Sequence, residues 1–375
     1  MHKLPDTEQS ILDTVRRISE KYLAPVAAEV DETDTIPGET LGKMAEAGLF
    51  GLLVPGAHGG IFHSHLLYYW TLRELAKSCA AHAITLLSHS MCTHAISTFG
   101  TDDQKAKYLP QLASGDHIGG VCMTEKEAGS DLSAIKTIAR PHAGGYLING
   151  AKYFITNGGT ARVFVVVADT SEKRGPFSKS LFLVDAEREG VCPGRPDNKM
   201  GFRGADTREL SFDNVRVPED SLMGKTGQGM LMISKVLETS RTATAAMALG
   251  LAERGFGLAL GYAKRRKQFG KPIARFGVIQ NYLSDMATDT ACAELLIENA
   301  ALGQKRGLKI AKESAMAKCF ASEMACRVLS NALQIHGGRG YMKEYQIERL
   351  LRDARLCTII EGTNEIQRRI IAGNL

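Results

Sequence analysis

Apolar residues recur at helical spacing through the first third of the chain. Over 8–30 the apolar side chains fall three or four positions apart, which predicts an amphipathic helix. Pro37 precedes a second helical pattern over 39–47, and a long helical stretch covers 66–99. We therefore expect residues 1–118 to form an N-terminal helical domain.

Over residues 119–220 the apolar residues no longer follow helical spacing and instead form short, strand-like runs. Asn149-Gly150 lies between two apolar-rich arms, which predicts a β-hairpin turn, and Asp213-Asn214 predicts another turn. Short β-branched or aromatic runs predict further strands, at 163–168 and 181–184. Several short strands in about 100 residues favour a middle domain that is a small antiparallel β-barrel or sandwich.

Helical periodicity returns in residues 221–375. Long helices are predicted near 230–263, 276–306 and 314–335. They are long enough to form a helical bundle. The expected fold class is therefore α+β, with helical domains on both sides of one β domain.

Composition narrows the class of protein. The 375 residues include 46 Lys and Arg against 41 Asp and Glu, a net charge of only +5, so a nucleic-acid partner is not expected. No apolar run approaches the roughly 18 residues of a membrane span, and the start has no signal-peptide pattern. The eight cysteines form no C-x-x-C pair, which favours reduced, buried thiols. A cytoplasmic location is expected, or the mitochondrial matrix if a transit peptide was removed.

Two patterns that suggest cofactor or metal sites are disfavoured. The glycines at 224–229 resemble part of a phosphate-binding loop, but Glu219 occupies the position of its first glycine, which favours a joining loop. Six histidines lie between His58 and His94, yet their spacing matches no ligand pattern, which favours surface or packing roles over metal binding.

Two other segments carry candidate chemistry. Glu361 follows an apolar run and precedes Gly362, so its carboxylate is either a general base with a raised pKa or an ordinary helix-start residue. The segment 124–131 offers small residues and hydroxyls after a strand-like run. It is either a binding loop for an anion or flat ring or an ordinary polar turn.

Together these segments resemble the acyl-CoA dehydrogenase family over nearly the whole chain. The matching pieces occur in the family's order: Thr124-Glu125 through Ala128-Gly-Ser-Asp131, Asn149-Gly-Ala-Lys152, Ile155-Thr-Asn-Gly158, Met200-Gly with Arg208, Ser240-Arg241 with Ala248-Leu-Gly250, Arg266-Lys-Gln-Phe-Gly-Lys271, Gln334-Ile-His-Gly-Gly338 and Glu361-Gly-Thr-Asn364. The resemblance implies the acyl-CoA dehydrogenase fold, with a C-terminal four-helix bundle.

The resemblance also implies FAD-dependent α,β-dehydrogenation of an acyl-CoA thioester by a homo-oligomer, usually a tetramer, with electrons passed to an electron-transferring flavoprotein. It assigns Glu361 as the base that takes the α-proton, while the β-hydride passes to flavin N5. It assigns FAD contacts to Val121, Cys122, Met123, Thr124, Gly129, Ser130, Phe154, Ile155, Thr156, Arg266, Gln268, Phe269, Phe276, Gln334, Ile335, His336, Gly337, Gly338, Thr363, Asn364 and Glu365. The FAD of a neighbouring subunit would be contacted by Arg266, Gln268, Phe269 and residues 334–338. It assigns substrate contacts to Ser130, Glu238, Arg241 and Gly362, and no metal is needed.

Departures from the family pattern bear on the substrate. Some branches place the base just before the arginine that is Arg241 here, but that residue is Ser240, which leaves Glu361 as the candidate. His82 stands where glutaryl-CoA dehydrogenases carry an arginine, which disfavours a dicarboxylyl substrate. Alternatives on the same fold are an acyl-CoA oxidase, a dehydrogenase of carrier-protein-bound or unusual cyclic or aromatic acyl groups, an enoyl-CoA reductase, or a catalytically silent scaffold.

Overall fold

The computed structural model describes residues 4–171, 175 and 177–375, and its amino-terminal part is helical. The helices are α1 (Asp6–Ile18), α2 (Ala24–Thr33), α3 (Gly38–Glu46), α4 (His65–Ser78), α5 (Ala80–Phe99) and α6 (Asp102–Ser114). A π-helical turn, Ser19–Leu23, joins α1 to α2, so the helix predicted over 8–30 is present with one wider turn. The stretch predicted over 66–99 is two helices, because Cys79 takes an extended conformation between α4 and α5.

The middle of the chain forms one twisted sheet. Its strands are β1 (Ile118–Cys122), β2 (Ile138–His142), β3 (Gly145–Thr156), β4 (Ala161–Asp169), β5 (Lys179–Asp185), β6 (Val191–Pro196), β7 (Thr207–Pro218) and β8 (Leu222–Met223). Seven strands follow the order β6-β7-β3-β2-β4-β5-β8, and β1 pairs with β4. Most pairs are antiparallel as predicted, but β1 runs parallel to β4, and β2 touches β4 in parallel at one position.

The two turns predicted in this domain are wrong. Asn149-Gly150 lies inside the continuous strand β3, and Asp213-Asn214 lies inside β7, directly across from it. The register shifts there, and the Asn214 N–H donates to Asn149 Oδ1 at 2.9 Å. These turn-forming residues therefore make a bulge, in which Asn214 and Gly150 take positive φ angles, +52° and +148°. The hairpin between β2 and β3 turns at residues 143–144 instead.

Long helices return after β8, as predicted. They are α7 (Gly229–Arg265), α8 (Gly277–Lys305), α9 (Ala311–His336), α10 (Ile347–Leu356) and α11 (Asn364–Ala372), with a two-stranded ribbon, β9 (Lys267–Gln268) and β10 (Lys271–Pro272), between α7 and α8. One core joins α4, α5, α7 and α9 and continues under the sheet, while a second core lies on the sheet's other face. Gly250 on α7 lets α4 approach, because a Cβ there would lie 2.2 Å from the Arg73 carbonyl oxygen.

The cysteines differ in part from the prediction. They are free thiols, and most are buried, but Cys192 and Cys292 are exposed, because they lie on solvent-facing positions of β6 and α8. In the described ranges no helix is both long and apolar enough to cross a membrane. The same ranges hold no cluster of three or more metal-ligating side chains.

Candidate active site

Glu361 lies in a short loop between α10 and α11, and the loop has an unusual backbone. Glu361 has φ +56° and Gly362 has φ +87°, so two successive residues occupy the left-handed region. A Cβ at Gly362 would also lie 2.8 Å from Gln367 Nε2, so glycine is needed there for space as well as for conformation. A strained non-glycine residue of this kind must be held in place by its surroundings.

The Glu361 carboxylate points at the middle of α7. The Ser240 hydroxyl donates a hydrogen bond to Glu361 Oε2. Burial raises the pKa of Glu361 above its usual value, and Ser240, Arg241 and Lys318 oppose that rise. A partly buried carboxyl with a raised pKa and one hydroxyl donor is suited to taking and returning a proton near neutral pH.

Two charged residues predicted to hold substrate lie beside Ser240 on the same helix. The Arg241 side chain is buried, and its Nε has no partner within the described part of the chain. Burial lowers the pKa of Arg241, while Glu361 and Glu238 oppose that effect. Glu238 itself pairs with Lys235 at 2.8 Å. A buried guanidinium with an unused donor is suited to a polar or anionic ligand group.

The structure brings together the ends of β1 and β3, both predicted to contact the flavin. The Tyr153 N–H donates to the Thr124 oxygen at 2.8 Å. Val121 and Met123 face the helical core, and Phe154 is 68% exposed with φ +59°. Gly129 and Ser130 lie in the exposed loop that follows β1.

The side chains of two predicted FAD residues point away from this face. Cys122 and Ile155 are buried in the second core, on the other side of the sheet. Alternation along a strand explains this, because neighbouring residues point to opposite faces. Their predicted contact with FAD would therefore have to come from backbone atoms, and it stays a prediction.

A second group of predicted FAD residues lies elsewhere in the chain. Arg266, Gln268 and Phe269 are exposed on the ribbon that follows α7, and Phe269 is 92% exposed, with Phe276 6.0 Å from it between ring centroids. Gln334, Gly337 and Gly338 are exposed at the end of α9, while Ile335 and His336 are buried. The His336 ring stacks on Tyr262, whose carbonyl accepts from the Arg266 N–H at 2.8 Å.

This second group is remote from the base. Ser240, in the body of α7, and Arg265, at its carboxyl end, are separated by 25 residues, which is about 37 Å of ideal helix at about 1.5 Å per residue. Arg266 and the 334–338 segment lie near each other at that carboxyl end, where His336 stacks on Tyr262. Glu361 instead lies beside Ser240, so these sequence-predicted residues form two separate groups along α7.

The start of α11 carries the last three predicted FAD residues. The Thr363 hydroxyl caps this helix through the Ile366 N–H, and Glu365 is exposed. The Asn364 side chain is buried and bonded to Ser322, at 3.1 Å from its Nδ2 to Ser322 Oγ. Its amide is bonded to side chains of α9, and the contact of Asn364 with FAD stays a prediction.

Sequence reasoning missed two residues that hold the base loop. Lys318 Nζ donates to the Gly362 oxygen at 2.9 Å, and Gln367 Nε2 donates to the Glu361 oxygen at 3.0 Å. The available signal was a lysine on the otherwise small and apolar face of α9, since an unpaired lysine is rarely fully buried.

With the fold and this geometry established, three family models match the chain. They are "Acyl-CoA dehydrogenase, N-terminal domain" over residues 5–116, "Acyl-CoA dehydrogenase, middle domain" over 120–215 and "Acyl-CoA dehydrogenase, C-terminal domain" over 227–375. The chain belongs to the acyl-CoA dehydrogenase family, which is a family of oxidoreductases, and the resemblance stated from the sequence is confirmed.

Individual relatives cover the whole length. An acyl-CoA dehydrogenase of Bacillus subtilis is 44% identical over 96% of this chain and 95% of its own. An acryloyl-CoA reductase (NADH) of Anaerotignum propionicum is 42% identical over 97% of this chain and 93% of its own. A 3-(aryl)acrylate reductase of Clostridium sporogenes is 40% identical over 98% of this chain and 99% of its own.

Solved structures share the fold closely. Butyryl-CoA dehydrogenase from Megasphaera elsdenii superimposes with a TM-score of 0.97 at 36% identity, covering 100% of this chain and 99% of that one. A chain from work described as "Electron transferring flavoprotein of Acidaminococcus fermentans: Towards a mechanism of flavin-based electron bifurcation" gives 0.97 at 37% identity, again covering 100% and 99%. The predicted α+β fold class is confirmed.

Proposed function

We propose that this chain is an FAD-dependent acyl-CoA dehydrogenase in which Glu361 removes the α-proton of an acyl thioester. The observation that carries the proposal is the partly buried Glu361 side chain, whose carboxyl has a pKa raised by desolvation and one hydroxyl donor, Ser240. Family membership supports the reaction class. The proposed substrate is an acyl-CoA, and the acyl group is left open.

The exposed residues around the sheet are suited to a flavin. Phe154 is a largely exposed aromatic side chain, and its neighbour Tyr153 is hydrogen-bonded to the backbone carbonyl of Thr124, just after β1. Arg266 is exposed, and it forms no ion pair with a carboxylate in the described ranges. An aromatic surface fits a flat ring, and a guanidinium fork fits a pyrophosphate. FAD, when bound, would supply the acceptor for the β-hydride.

The chain's own residues would divide the remaining work. Glu361 takes the α-proton, and Ser240 holds its carboxylate in place. The Glu361 N–H has no acceptor among the described residues, so it is free to donate to the thioester oxygen, where negative charge develops. Arg241, with Ser130, Glu238 and Gly362, would position the CoA portion.

We propose that the FAD site is shared between subunits of a homo-oligomer, most simply a tetramer. The separation of Arg266 from Glu361 along α7 supports this, because a neighbour could supply Arg266, Gln268, Phe269, Phe276 and 334–338. We expect Arg266→Ala to lower both FAD retention and the assembly state, measured by absorbance ratio and light scattering. A stable monomer with full FAD content would contradict the shared site.

The proposed electron acceptor is an electron-transferring flavoprotein, which the 0.97 superposition on a chain from a study of that partner supports. A cytoplasmic location, or the mitochondrial matrix for a processed form, stays a prediction. Reduction of this partner by the substrate-reduced enzyme, followed by its own flavin absorbance, would test the acceptor.

The function is tested by the anaerobic bleaching of flavin absorbance with a panel of acyl-CoA thioesters. In Glu361→Gln the side chain keeps its size but cannot accept a proton, so flavin reduction should fall by roughly 10²–10⁴-fold while FAD stays bound. Glu344→Gln, a change at an exposed carboxyl, is the matched control and should behave as wild type. Reduction of Glu361→Gln within a few-fold of wild type would overturn the assignment of the base.

A second candidate is the reverse reaction, reduction of an α,β-unsaturated acyl thioester. Two relatives named as reductases, at 42% and 40% identity, favour it. Glu361 would then return a proton to the α-carbon. The two directions are distinguished by mixing dithionite-reduced enzyme with enoyl-CoA thioesters, and oxidised enzyme with acyl-CoA thioesters, and comparing the two rates.

A further inference from the structure

A buried lysine lies directly beneath the base loop. Lys318, on α9, is fully buried, and it makes no ion pair with a carboxylate in the part of the chain that the structure describes. Its ammonium donates to the Gly362 oxygen at 2.9 Å and to Asn364 Oδ1 at 2.8 Å. Burying an ammonium with only neutral oxygens as partners is unfavourable, so the presence of a lysine at this position needs a structural or functional explanation.

One acceptor of Lys318 is the carbonyl of Gly362, next to Glu361, and the other is the side-chain oxygen of Asn364 at the start of α11. Gln367 Nε2 completes the arrangement by donating to the Glu361 oxygen at 3.0 Å and to the Gly362 oxygen at 2.8 Å. Asn364 is held in turn by Ser322 and by Glu323, at 3.1 Å from its Nδ2. The donors to the loop carbonyls therefore come from α9 and α11.

We propose that Lys318 is a positioning residue for the base: its ammonium ties the Gly362 carbonyl to the Asn364 side chain at the start of α11, and so holds the left-handed turn that aims Glu361 at the substrate. This inference rests on the proposed function, because it takes Glu361 as the group that moves the proton. Lys318 itself would touch neither substrate nor cofactor.

The charge of Lys318 also acts on the base. Burial lowers the pKa of Lys318 to about 8, so the side chain is mostly a cation at neutral pH. The titratable groups near it are Cys357, Cys319, Glu361 and Glu365, and burial raises the pKa of the Cys357 thiol to about 12, which leaves it neutral.

The groups that face Glu361 are few. Ser240 and Arg241 face it from α7 and Lys318 from α9, and all three lower its pKa, while Tyr68 on α4 feels its charge as a buried, neutral phenol. Removing the Lys318 cation should therefore raise the pKa of Glu361. The acid limb of flavin reduction would then move to higher pH, because the base must be ionised to accept a proton.

The test is the pH dependence of anaerobic flavin reduction in Lys318→Met and Lys318→Gln holoenzymes. We expect Lys318→Met to lose at least roughly tenfold in rate at pH 7 and to keep a smaller loss, of roughly threefold, at pH 9, where the wild-type lysine is also neutral but still donates hydrogen bonds that Met cannot make. Lys318→Gln keeps a hydrogen-bond donor without the charge, so it should show the same shift with a smaller loss at pH 9.

Two matched controls separate this role from simple packing. Lys179→Met removes another buried lysine, one that lies in the sheet, and Ser322→Ala removes a neutral partner of Asn364. Neither should shift the acid limb. Rates within twofold of wild type across the pH range, or a uniform loss at all pH values, in both Lys318 variants would overturn the inference.

The proposed function can be contradicted independently of the inference about Lys318. If wild-type enzyme is not bleached by any thioester of the panel, the assignment of the reaction is wrong, whatever the Lys318 variants do. If wild type is bleached and Lys318→Met folds poorly, Lys318→Gln decides the question by the position of its acid limb.

Discussion

The sheet and the helical bundle both bury lysines, but they treat the charge differently. In the sheet, Lys152 lies 2.8 Å from Glu125 Oε1 and Lys179 lies 2.6 Å from Asp169 Oδ2. In the bundle, Lys318 meets only a carbonyl and an amide oxygen at bonding distance. The ammonium groups of the sheet are therefore neutralised by a partner, whereas that of the bundle acts on Glu361 beyond hydrogen-bond range.

This difference separates a structural role for Lys152 from an electrostatic role for Lys318. Lys152 joins β3 to the turn after β1, since it also donates to the Met123 oxygen at 3.1 Å, and so fixes two elements of the proposed flavin site. Burial alone would raise the pKa of Glu125, but Lys152, Thr137 and Lys136 together lower it. A buried, hydrogen-bonded ion pair of this kind holds two elements rigidly together. A buried cation without a carboxylate partner instead acts electrostatically on its neighbour.

The largest effect should come from breaking the pair in the sheet. Lys152→Met leaves the Glu125 carboxylate buried without its cation, which typically destabilises a fold by about 3–5 kcal/mol. The free energy of unfolding from urea titration measures it. The double variant Lys152→Met/Glu125→Gln should recover much of the loss, and equal instability of the two variants would contradict the ion-pair explanation.

A smaller loss of stability is expected at Lys318. Lys318→Met leaves only neutral acceptors unpaired, which amounts to about 1–3 kcal/mol in the same titration. Lys343→Met, which removes an exposed partner of Glu32, should leave the midpoint unchanged. A loss at Lys318 larger than that at Lys152 would reverse the comparison between the two regions.

The smallest of these effects concerns Ser240. Ser240→Ala removes the hydroxyl that lowers the pKa of Glu361, so that pKa should rise further and the acid limb of flavin reduction should shift upward. We expect roughly a fivefold lower rate at pH 6.5 and little change at pH 9. Stopped-flow bleaching at the two pH values checks it, and Thr244→Ala, one turn along α7, is the control.

Much of the fold could be predicted because its helices are long and their apolar spacing is regular. The helix predicted over 276–306 is observed as Gly277–Lys305, within a residue at each end. The Asn149-Gly150 turn failed because the same residues suit a bulge, and only the opposite strand decides between them.

The candidate site could be predicted only in part, because local patterns reveal some of its residues while others depend on contacts between distant segments. Glu361 was predicted from its place before Gly362, the family resemblance supplied the flavin residues, and both assignments stay predictions. Lys318 was not found, because its role depends on an approach between residues 44 positions apart that no local pattern encodes. Whether Cys122 faces ligand or core likewise depends on the pairing of β1 with β4.

The backbone of the base loop is tied to α9 and α11, which has a consequence for how new enzymes could arise from this scaffold. Lys318 on α9 and Gln367 on α11 donate to the loop carbonyls, while Ser240 on α7 contacts the Glu361 carboxylate itself. Residues on α4, α5 and α7 other than Ser240 and Arg241 can therefore be exchanged in a directed-evolution library without removing the contacts that hold Glu361. We expect substrate range to be the adaptable trait of this protein, and proton abstraction the inherited one.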